Sequence, residues 1–420
     1  MSVYFPIPRD VQDIIETYEN NGFHAHIVGG PVRDYLLGIP PHDFDITTDA
    51  TPEETKQIFR GERIIETGIQ HGTVTLLKSS TPYEITTYRI DGEYLDQRHP
   101  ESVTFTRSLA EDLARRDFTV NAMAYAHSSG IVDLFSGQED LKNHILRAVG
   151  LPEKRFEEDA LRILRALRFR SRLGFDVEEN TKKAIFSLAP LMRALATERI
   201  LNEFYGILIG AYAEDVLREY RTPLAKVLPE FEVAFCDDAL PLKVSAPLIQ
   251  TDITKGREMP PCQKNATISD TDDIFFCRFV ALAHRAGLTA EEYVRMCDRL
   301  HTSRHLRDDG AKVLSVLHQK PRTDYDLLKL LSLLDKELTV LALELLIWNK
   351  NAQECARGQL ERLLLDCCPY RITDLAVSGR DLLMLGYRGK ELGDTLSLLL
   401  DATMRGDVPN EKDALLSYLK

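Results

Sequence analysis

The sequence predicts an α+β protein, with a mixed or antiparallel sheet and helices over residues 1–150 and an elongated all-helical remainder. Strand and helix patterns alternate in the first part, which includes an apolar strand at 24–28. Two β-rich runs, 72–78 and 83–89, are separated by turn-forming residues and predict an antiparallel hairpin. After about residue 152, Leu, Arg, Glu and Ala recur at helical spacing, which predicts helices to the C-terminus.

Length and charge limit the class of protein. A chain of 420 residues is long enough for two to four packed units. Its formal net charge of −13 argues against a protein that coats nucleic acid indiscriminately, although basic residues cluster between 147 and 172. No apolar run approaches the roughly 18 residues that a membrane span needs, and the N-terminus lacks a signal-peptide pattern. We therefore expect a soluble, cytoplasmic protein with no membrane partner.

A pair of glycines and a pair of aspartates form the most informative stretch. Gly29 and Gly30 end the apolar strand, and a helix that carries Arg33 follows, so that backbone N–H groups and a guanidinium are available to a phosphate. Asp43 and Asp45 are two residues apart, and on a strand they point to the same face. Converging carboxylates suit Mg²⁺, which indicates phosphoryl or nucleotidyl transfer. Taken alone, the glycine pair is better explained by a tight turn, and the aspartate pair by a solvated Asp-x-Asp. Together, at this separation, the two pairs become specific for nucleotidyl or phosphoryl transfer.

Two further segments carry candidate site residues. Glu84, on the second hairpin strand, is either a third carboxylate of the metal site or an ordinary solvent-facing residue. The loop at 91–100 is either a mobile substrate lever or a simple exposed loop. Arg115 and Arg116 offer guanidinium groups to phosphate, and Asn121 can reach a sugar hydroxyl. The alternative for the arginines is a surface pair at a helix start.

Residues 156–172 have the periodicity of one continuous amphipathic helix. On it, Asp159 and Arg162 are neighbours at i and i+3. Such a pair is either an exposed ion pair or a reader of a nucleobase edge, with the carboxylate as acceptor and the guanidinium as donor. Cytosine and adenine offer the matching amino group and ring nitrogen, whereas guanine and uracil present a carbonyl that opposes Asp159. The second interpretation selects C and A without a nucleic acid template.

These motifs resemble the bacterial class II CCA-adding enzymes, which are tRNA nucleotidyltransferases of the polymerase β superfamily. The glycine pair with Asp43-Phe44-Asp45 is similar to their metal and triphosphate motif, Arg115-Arg116-Asp117 with Asn121 to their ribose motif, and Glu158-Asp159-Ala160-Leu161-Arg162 to their amino-acid template for CTP and ATP. Arg165 and Arg168 match positions used near the nucleotide. Thr197-Glu198-Arg199-Ile200 with Glu203 resembles the segment that braces the template helix. The motifs follow the family order over residues 25–205, and Ser378-Gly379-Arg380-Asp381-Leu382 is similar to an RNA-contacting tail.

The resemblance implies four regions: a nucleotidyltransferase head (1–150), a helical neck with the template helix (151–215), a helical body (216–325) and a tRNA-binding tail (326–420). The body includes an insertion at 236–273 that we could not match to the family. It further implies that Asp43 and Asp45 hold two Mg²⁺ ions. Glu84 is a further candidate catalytic residue from its place on the hairpin. CTP, ATP and the tRNA acceptor end are the implied partners, and a homodimer is left open.

Close relatives of this family define the alternatives. An A-adding enzyme or a bacterial poly(A) polymerase shares the motifs, but the loop at 91–100 is complete and no strongly basic extension is present. Full CCA addition is therefore the first interpretation. A catalytically inactive RNA-binding regulator, or a nucleotidyltransferase acting on a protein or a small molecule, is the alternative from another class. The intact motifs argue against the regulator, and the long helical part argues against a protein or small-molecule substrate.

Overall fold

A computed structural model of the protein describes residues 5–41, 43–92, 103–235, 240–241 and 271–419. The chain divides into two compact units, one of Met1–Asp237 with Val244–Asn265 and one of Asp238–Lys243 with Ala266–Lys420. Most of the predicted lever loop at 91–100 and of the predicted insertion at 236–273 lies outside the described residues.

The first unit is built on a seven-stranded sheet with the strand order β3-β4-β5-β2-β1-β8-β9. All neighbours in it are antiparallel except β2 and β5, which run parallel, so the sheet is mixed as predicted. The strands, including two short pairs outside this sheet (β6 with β7, β10 with β11), are β1 Ala25–Val28, β2 Ile46–Thr48, β3 Arg63–Gly68, β4 Thr73–Lys78, β5 Thr81–Thr87, β6 Arg89–Asp91, β7 Val103–Phe105, β8 Met123–Ala126, β9 Gly130–Asp133, β10 Ile145–Leu146 and β11 Asp176–Val177.

Helices surround this sheet and continue beyond it. They are α1 Arg9–Asn20, α2 Gly30–Leu36, α3 Pro52–Ile58, α4 Leu109–Ala114, α5 Gly137–Asn143, α6 Pro152–Glu158, α7 Leu161–Leu173, α8 Glu179–Leu188, α9 Thr197–Leu208, α10 Ala213–Glu219 and α11 Arg221–Leu224, with 3₁₀ turns at Ile69–His71, Thr119–Asn121, Ala189–Ala194 and Pro229–Phe231.

The predicted hairpin and apolar strand are both present. β4 and β5 pair antiparallel through a turn at Ser79 and Ser80, whose positive φ angles of 50° and 68° match the right-handed twist of a hairpin. At the end of β1, Val28 packs against Leu113 of α4 and Ala124 of β8 in a buried cluster. This cluster fixes the position of the glycines that follow β1.

The second unit is helical in its described part. Its helices are α12 Thr271–Arg285, α13 Ala290–Arg299, α14 Gly310–Val316, α15 Asp324–Leu334, α16 Lys336–Trp348, α17 Ala356–Leu365, α18 Gly379–Met384, α19 Gly389–Arg405 and α20 Lys412–Tyr418, with a π turn at His305–Asp309 and a 3₁₀ turn at Ile372–Asp374. Within the described ranges, no helix is long and apolar enough to cross a bilayer.

Candidate active site

The glycine turn lies where β1 gives way to α2. Gly29 has φ 78°, which favours glycine, and its N–H donates to the carbonyl of Met123 at 3.1 Å. A Cβ atom on Gly29 would come within 3.3 Å of Nη1 of Arg116. The turn therefore brings bare backbone close to a guanidinium, and Gly30 and Pro31 begin α2 directly after it.

The two aspartates lie before a strand rather than on it. The prediction that Asp43 and Asp45 lie on a strand was wrong, because β2 begins at Ile46. The backbone carbonyl of Asp45 still accepts from the N–H of Val28 at 3.0 Å, but β1 then turns into α2 and leaves no strand to pair with Asp43.

Glu84 lies beside Asp45. β2 and β5 run parallel with Ile46 opposite Ile85, so the residues that precede them, Asp45 and Glu84, are adjacent. Protein atoms packed around Asp45 raise the pKa of its carboxyl, and the charges of Glu84 and Asp43 raise it further against the opposing effect of Arg116. The structure thus brings the three predicted carboxylates into one electrostatic neighbourhood.

These carboxylates do not form a closed protein cage. Among the described residues, no group of three or more Asp, Glu, His or Cys side chains has the geometry of a complete metal site. Mg²⁺ is commonly bound by one or two carboxylates together with substrate phosphates and water. The donor set of Asp43 and Asp45, with Glu84 nearby, fits that kind of open site.

The arginine pair is anchored by a buried carboxylate. Nε and Nη2 of Arg115 donate to Oδ1 of Asp112 at 2.9 and 2.7 Å, and Nη2 of Arg116 donates to Oδ2 at 3.3 Å. Burial raises the pKa of Asp112, but the two guanidinium charges outweigh it and leave the pKa below its ordinary value. Nε of Arg116 is buried and has no hydrogen-bond partner in the described part of the chain. Arg116 thus retains donor capacity beside Gly29.

Asn121 is part of a polar chain that joins α2 to α7. Its Oδ1 accepts from Nη1 of Arg33 at 2.7 Å, and its Nδ2 donates to Oδ1 of Asp117 at 3.3 Å. Oδ2 of Asp117 in turn accepts from Nε of Arg165 at 2.8 Å. Burial raises the pKa of Asp117, but the charge of Arg165 outweighs it and lowers the pKa. Asn121 is itself buried, so its side chain holds the site together.

The segment predicted as one continuous helix over 156–172 is broken at Asp159, which corrects that prediction. Asp159 is extended (φ −143°, ψ 104°), α6 ends before it and α7 begins at Leu161. Oδ1 of Asp159 accepts from the N–H of Leu161 at 3.0 Å. An Asp side chain that binds nearby backbone N–H groups competes with the helix ladder and favours a helix start.

Asp159 and Arg162 bind other groups rather than each other. Nη1 of Arg162 donates to Glu158 at 2.8 Å and to the carbonyl of Arg155 at 3.1 Å, and its Nη2 donates to the carbonyl of Arg115 at 3.0 Å. The alternative of an exposed Asp159–Arg162 ion pair is therefore wrong, since Arg162 is buried.

Helix α9 braces this segment, as the resemblance implies. Nη2 of Arg199 donates to Oδ2 of Asp159 at 3.0 Å. Nε of Arg168 lies 3.2 Å from Oε2 of the buried Glu203. Burial lowers the pKa of Arg168 and raises that of Glu203. Contacts with α9 therefore orient Asp159, just before α7, and Arg168, on the second turn of α7.

Sequence reasoning missed the role of Phe169. Its buried ring has the guanidinium carbons of Arg33, Arg165 and Arg168 within 5.2, 5.6 and 5.2 Å of its centroid. These distances allow cation–π attraction. The ring thus connects the glycine-turn helix with α7. The i, i+4 spacing of Arg165 and Phe169 was a usable signal, but the approach of Arg33 from another element was not visible in the sequence.

Asp117 was also underestimated. In the sequence it is part of an arginine motif, whereas in the structure its carboxylate connects Asn121 to Arg165. Its proximity to two basic residues in sequence gave no indication of this long-range role.

Three family models match the chain. They are described as "Poly A polymerase head domain" (residues 25–147), "Probable RNA and SrmB- binding site of polymerase A" (174–235) and "tRNA nucleotidyltransferase domain 2 putative" (278–419).

Curated relatives and a solved structure match almost the whole chain. The CCA-adding enzyme of Leuconostoc mesenteroides is 36% identical over 98% of this chain and 96% of its own, and that of Latilactobacillus sakei is 35% identical over 100% of both. The crystal structure of the Bacillus stearothermophilus CCA-adding enzyme in complex with CTP is 30% identical, has a TM-score of 0.78, and is matched over 98% of this chain and 96% of that one.

Proposed function

The chain belongs to the CCA-adding enzyme family, and we propose that the site around Gly29, Asp45 and Asp159 transfers CMP, CMP and AMP from CTP and ATP to the 3′ end of tRNA. The family and the function predicted from the sequence are confirmed by these relatives. An A-adding enzyme, a poly(A) polymerase and an inactive RNA-binding regulator are not favoured.

The observation that carries the proposed site is the placement of the carboxylates Asp45 and Glu84 beside the glycine turn and Arg116. In the proposed reaction the 3′-oxygen of the RNA forms a bond to the α-phosphorus of the nucleotide, the bond to the β-phosphate breaks, and pyrophosphate leaves. Arg116 and Arg33 bind the phosphates. Because Gly29 and Gly30 have no side chains, the phosphates can approach the backbone N–H groups closely.

Asp43 and Asp45 would hold the metal, with Glu84 as a nearby third carboxylate. We propose Mg²⁺, and two ions of it, because hard carboxylate oxygens and phosphates are its preferred ligands. When bound, the metal would neutralise phosphate charge and lower the pKa of the RNA 3′-hydroxyl. Burial raises the pKa of Asp45, and the charges of Glu84 and Asp43 add to this rise; a bound cation would relieve both effects.

Asp159 and Arg162 are proposed to read the base. The oxygens of Asp159 each carry a second lone pair beyond the bonds to Leu161 and Arg199, so the carboxylate can still accept from the amino group of cytosine or adenine. The three bonds of Arg162 leave two of its five N–H groups for the ring nitrogen. The existing bonds fix both groups in place before the nucleotide arrives, which lowers the entropic cost of recognition.

The other predicted residues have supporting roles in this proposal. Asn121 positions Arg33, and Arg165 supports Asn121 through Asp117. The side chain of Arg115 holds Asp112, and its backbone carbonyl holds Arg162. Arg168 lies against the ring of Phe169. We place the tRNA on the helical regions that follow the head, with 326–420 as the tail, and the activity in the cytoplasm. Since all proposed site residues come from one chain, the reaction requires no homodimer.

A gel at single-nucleotide resolution tests the proposal. Purified protein with Mg²⁺, CTP and ATP is incubated with tRNA that ends before CCA, with tRNA that ends in CC, and with an unrelated RNA. Addition of C, C and A to the first tRNA, followed by arrest, is the expected result. Extension of only the CC-ended tRNA, or long A tails on any RNA, would assign the protein to one of the alternative activities.

A further inference from the structure

A polar cleft in the second unit has cations on two walls. It measures about 330 Å³ and lies between the connection from α14 to α15 and the connection from α16 to α17. One wall presents Lys320 and Arg322, and the other presents Lys350. All three are exposed at the rim. A volume of this size is at the lower end of the range for ligand sites, about 300–1,000 Å³.

The positive charge of this cleft is not balanced locally. None of its three cations forms an ion pair with a described residue, and none of the residues described as lining it is acidic. The nearby carboxylates are engaged elsewhere: Asp324 pairs with Arg362 at 2.5 Å, and Asp326 accepts from the N–H groups of Arg322 and Thr323 at 2.9 Å. In a chain with a net charge of −13, three unpaired cations in one cleft mark a local attraction for anions.

The walls are held in place by buried and hydrogen-bonded groups. Nδ2 of Asn351 donates to the carbonyl of Leu317 at 2.7 Å, which ties the wall that carries Lys350 to the end of α14. Pro321 is buried between the cations of the other wall. Because both backbones are fixed, the cations can meet a ligand at a lower entropic cost than cations on a free loop.

The chemistry of the lining identifies the ligand. The side-chain amides of Gln353 and Gln359 add hydrogen-bond donors to the three cations, and none of the described lining residues is aromatic. Single-stranded bases are bound by stacking on aromatic rings, whereas phosphates need only cations and donors. We propose that this cleft binds backbone phosphates of the tRNA substrate. This inference rests on the proposed function, since tRNA is the polynucleotide that the protein would encounter.

A charge-neutralised variant tests the proposal in the full-length protein. Lys320→Gln/Arg322→Gln/Lys350→Gln removes the cleft cations, and Arg295→Gln/Arg304→Gln/Lys336→Gln removes three exposed cations elsewhere in the same unit. Fluorescence anisotropy with tRNA that lacks CCA gives Kd as a function of salt. We expect the cleft variant to raise Kd on the order of tenfold and to lower the slope of log Kd against log salt by about 2 to 3. We expect its kcat at saturating tRNA to be unchanged.

Alkylation of cysteines gives a second readout that does not depend on a variant. Cys355 lines the cleft and is exposed, and Cys367 is exposed and does not line it. We expect tRNA to slow the alkylation of Cys355, measured by peptide mass spectrometry, and to leave that of Cys367 unchanged. Protection by CTP or pyrophosphate alone would overturn the assignment to backbone phosphate in favour of a free-anion site.

The outcomes separate this proposal from the proposed function. If the wild-type protein extends tRNA but the cleft and control variants have the same tRNA affinity and salt slope, the cleft proposal fails and the function stands. If the wild-type protein does not extend tRNA at all, the proposed function fails whatever the cleft binds.

Discussion

Two regions of the first unit differ in whether their charged side chains are ion-paired. Where β2 begins beside β5, Asp43, Asp45 and Glu84 have no ion-pair partner within 4 Å among the described residues. Burial raises the pKa of Asp45, and the charges of Glu84 and Asp43 raise it further. Around α7, every proposed nucleotide-binding charge is already paired: Arg162 with Glu158, Arg165 with Asp117, Arg168 with Glu203 and Asp159 with Arg199.

This difference matches the two halves of a nucleotide. A triphosphate with its metal brings large charges, and it meets the region whose charges are unbalanced. A nucleobase is neutral, and it meets the region where the protein has balanced its own charges, so recognition there depends on hydrogen-bond direction rather than on net attraction. The unbalanced carboxylates lower the stability of the free protein slightly, whereas the paired segment keeps its conformation without ligand.

The largest effect that would sharpen this comparison is expected at the carboxylates beside β2. Asp45→Asn removes one carboxylate from the proposed metal site and should reduce CMP incorporation by about 10³-fold or more. Since the folded protein disfavours the charged form of Asp45, the neutral amide should leave the urea-unfolding midpoint unchanged or raise it. Rates and unfolding curves of the same preparation check both statements.

The matched control for this change is Asp13→Asn on α1, which removes the same charge away from the site. It should keep wild-type activity. A parallel loss of activity and of stability in Asp45→Asn would assign Asp45 a structural role and remove the contrast between the two regions.

The paired segment is tested by nucleotide selection. Asp159→Ala removes the proposed acceptor for the amino group, so the preference for CTP over UTP in kcat/KM should fall by about 10- to 100-fold, as for one bidentate base contact. Asp176→Ala, which removes a highly exposed carboxylate just after α7, is the control. Unchanged selectivity in Asp159→Ala would show that the base is read elsewhere and that the Arg199 pair is purely structural.

Local patterns predicted the elements of the first region well. The glycine pair and the hairpin that carries Glu84 follow from strand period and turn chemistry, which act over a few residues. The proximity of Asp45 to Glu84 depends on the parallel pairing of β2 with β5, which no local pattern encodes. The start of β2 was placed too early because the pairing of Asp43 depends on where β1 ends, which is a tertiary property.

For the second region, the sequence predicted which residues belong to the site but not their backbone conformation or their partners. Asp159 and Arg162 were identified, yet the break at Asp159 and its bond to Arg199, which is 40 residues further along, cannot be read from helical period. The approach of Arg33 to the ring of Phe169 joins two elements that are far apart in sequence. Such contacts are decided by packing, and no local propensity encodes them.

A fall in pH should destabilise the protein through His26 on β1, while the carboxylates that pair with the arginines stay charged. Burial, with the charge of His24, lowers the pKa of His26 on β1 to about 4 from 6.5. Between pH 6.5 and pH 4, His26 is protonated in the unfolded chain but neutral in the folded protein. The free energy of unfolding therefore falls as the pH is lowered from 7, by about 2 kcal/mol at pH 5. Asp112 and Asp117 have lowered pKa values and stay ionised in this window.

Urea-unfolding curves at pH 7 and pH 5 measure this loss. In His26→Asn, which keeps a polar partner for the hydroxyl of Tyr88, the part of the loss due to His26 should disappear. His24→Asn, at a largely exposed neighbouring position, should retain most of it. An equal loss in the wild-type protein and His26→Asn would show that another group controls acid stability.

The smallest effect is expected at the ring that connects the regions. Phe169→Leu preserves an apolar side chain but removes the cation–π attraction to Arg33, Arg165 and Arg168, each worth roughly 0.5–1 kcal/mol. If Phe169 positions these arginines, KM for CTP should rise about fivefold while kcat changes little, and Phe169→Tyr, which keeps the ring, should stay near wild type. Phe186→Leu, at a half-exposed ring on α8, controls for the loss of an aromatic side chain. A drop in kcat without a change in KM would contradict positioning by the ring. In that case the connection between α2 and α7 would rest on the polar chain through Asn121 and Asp117.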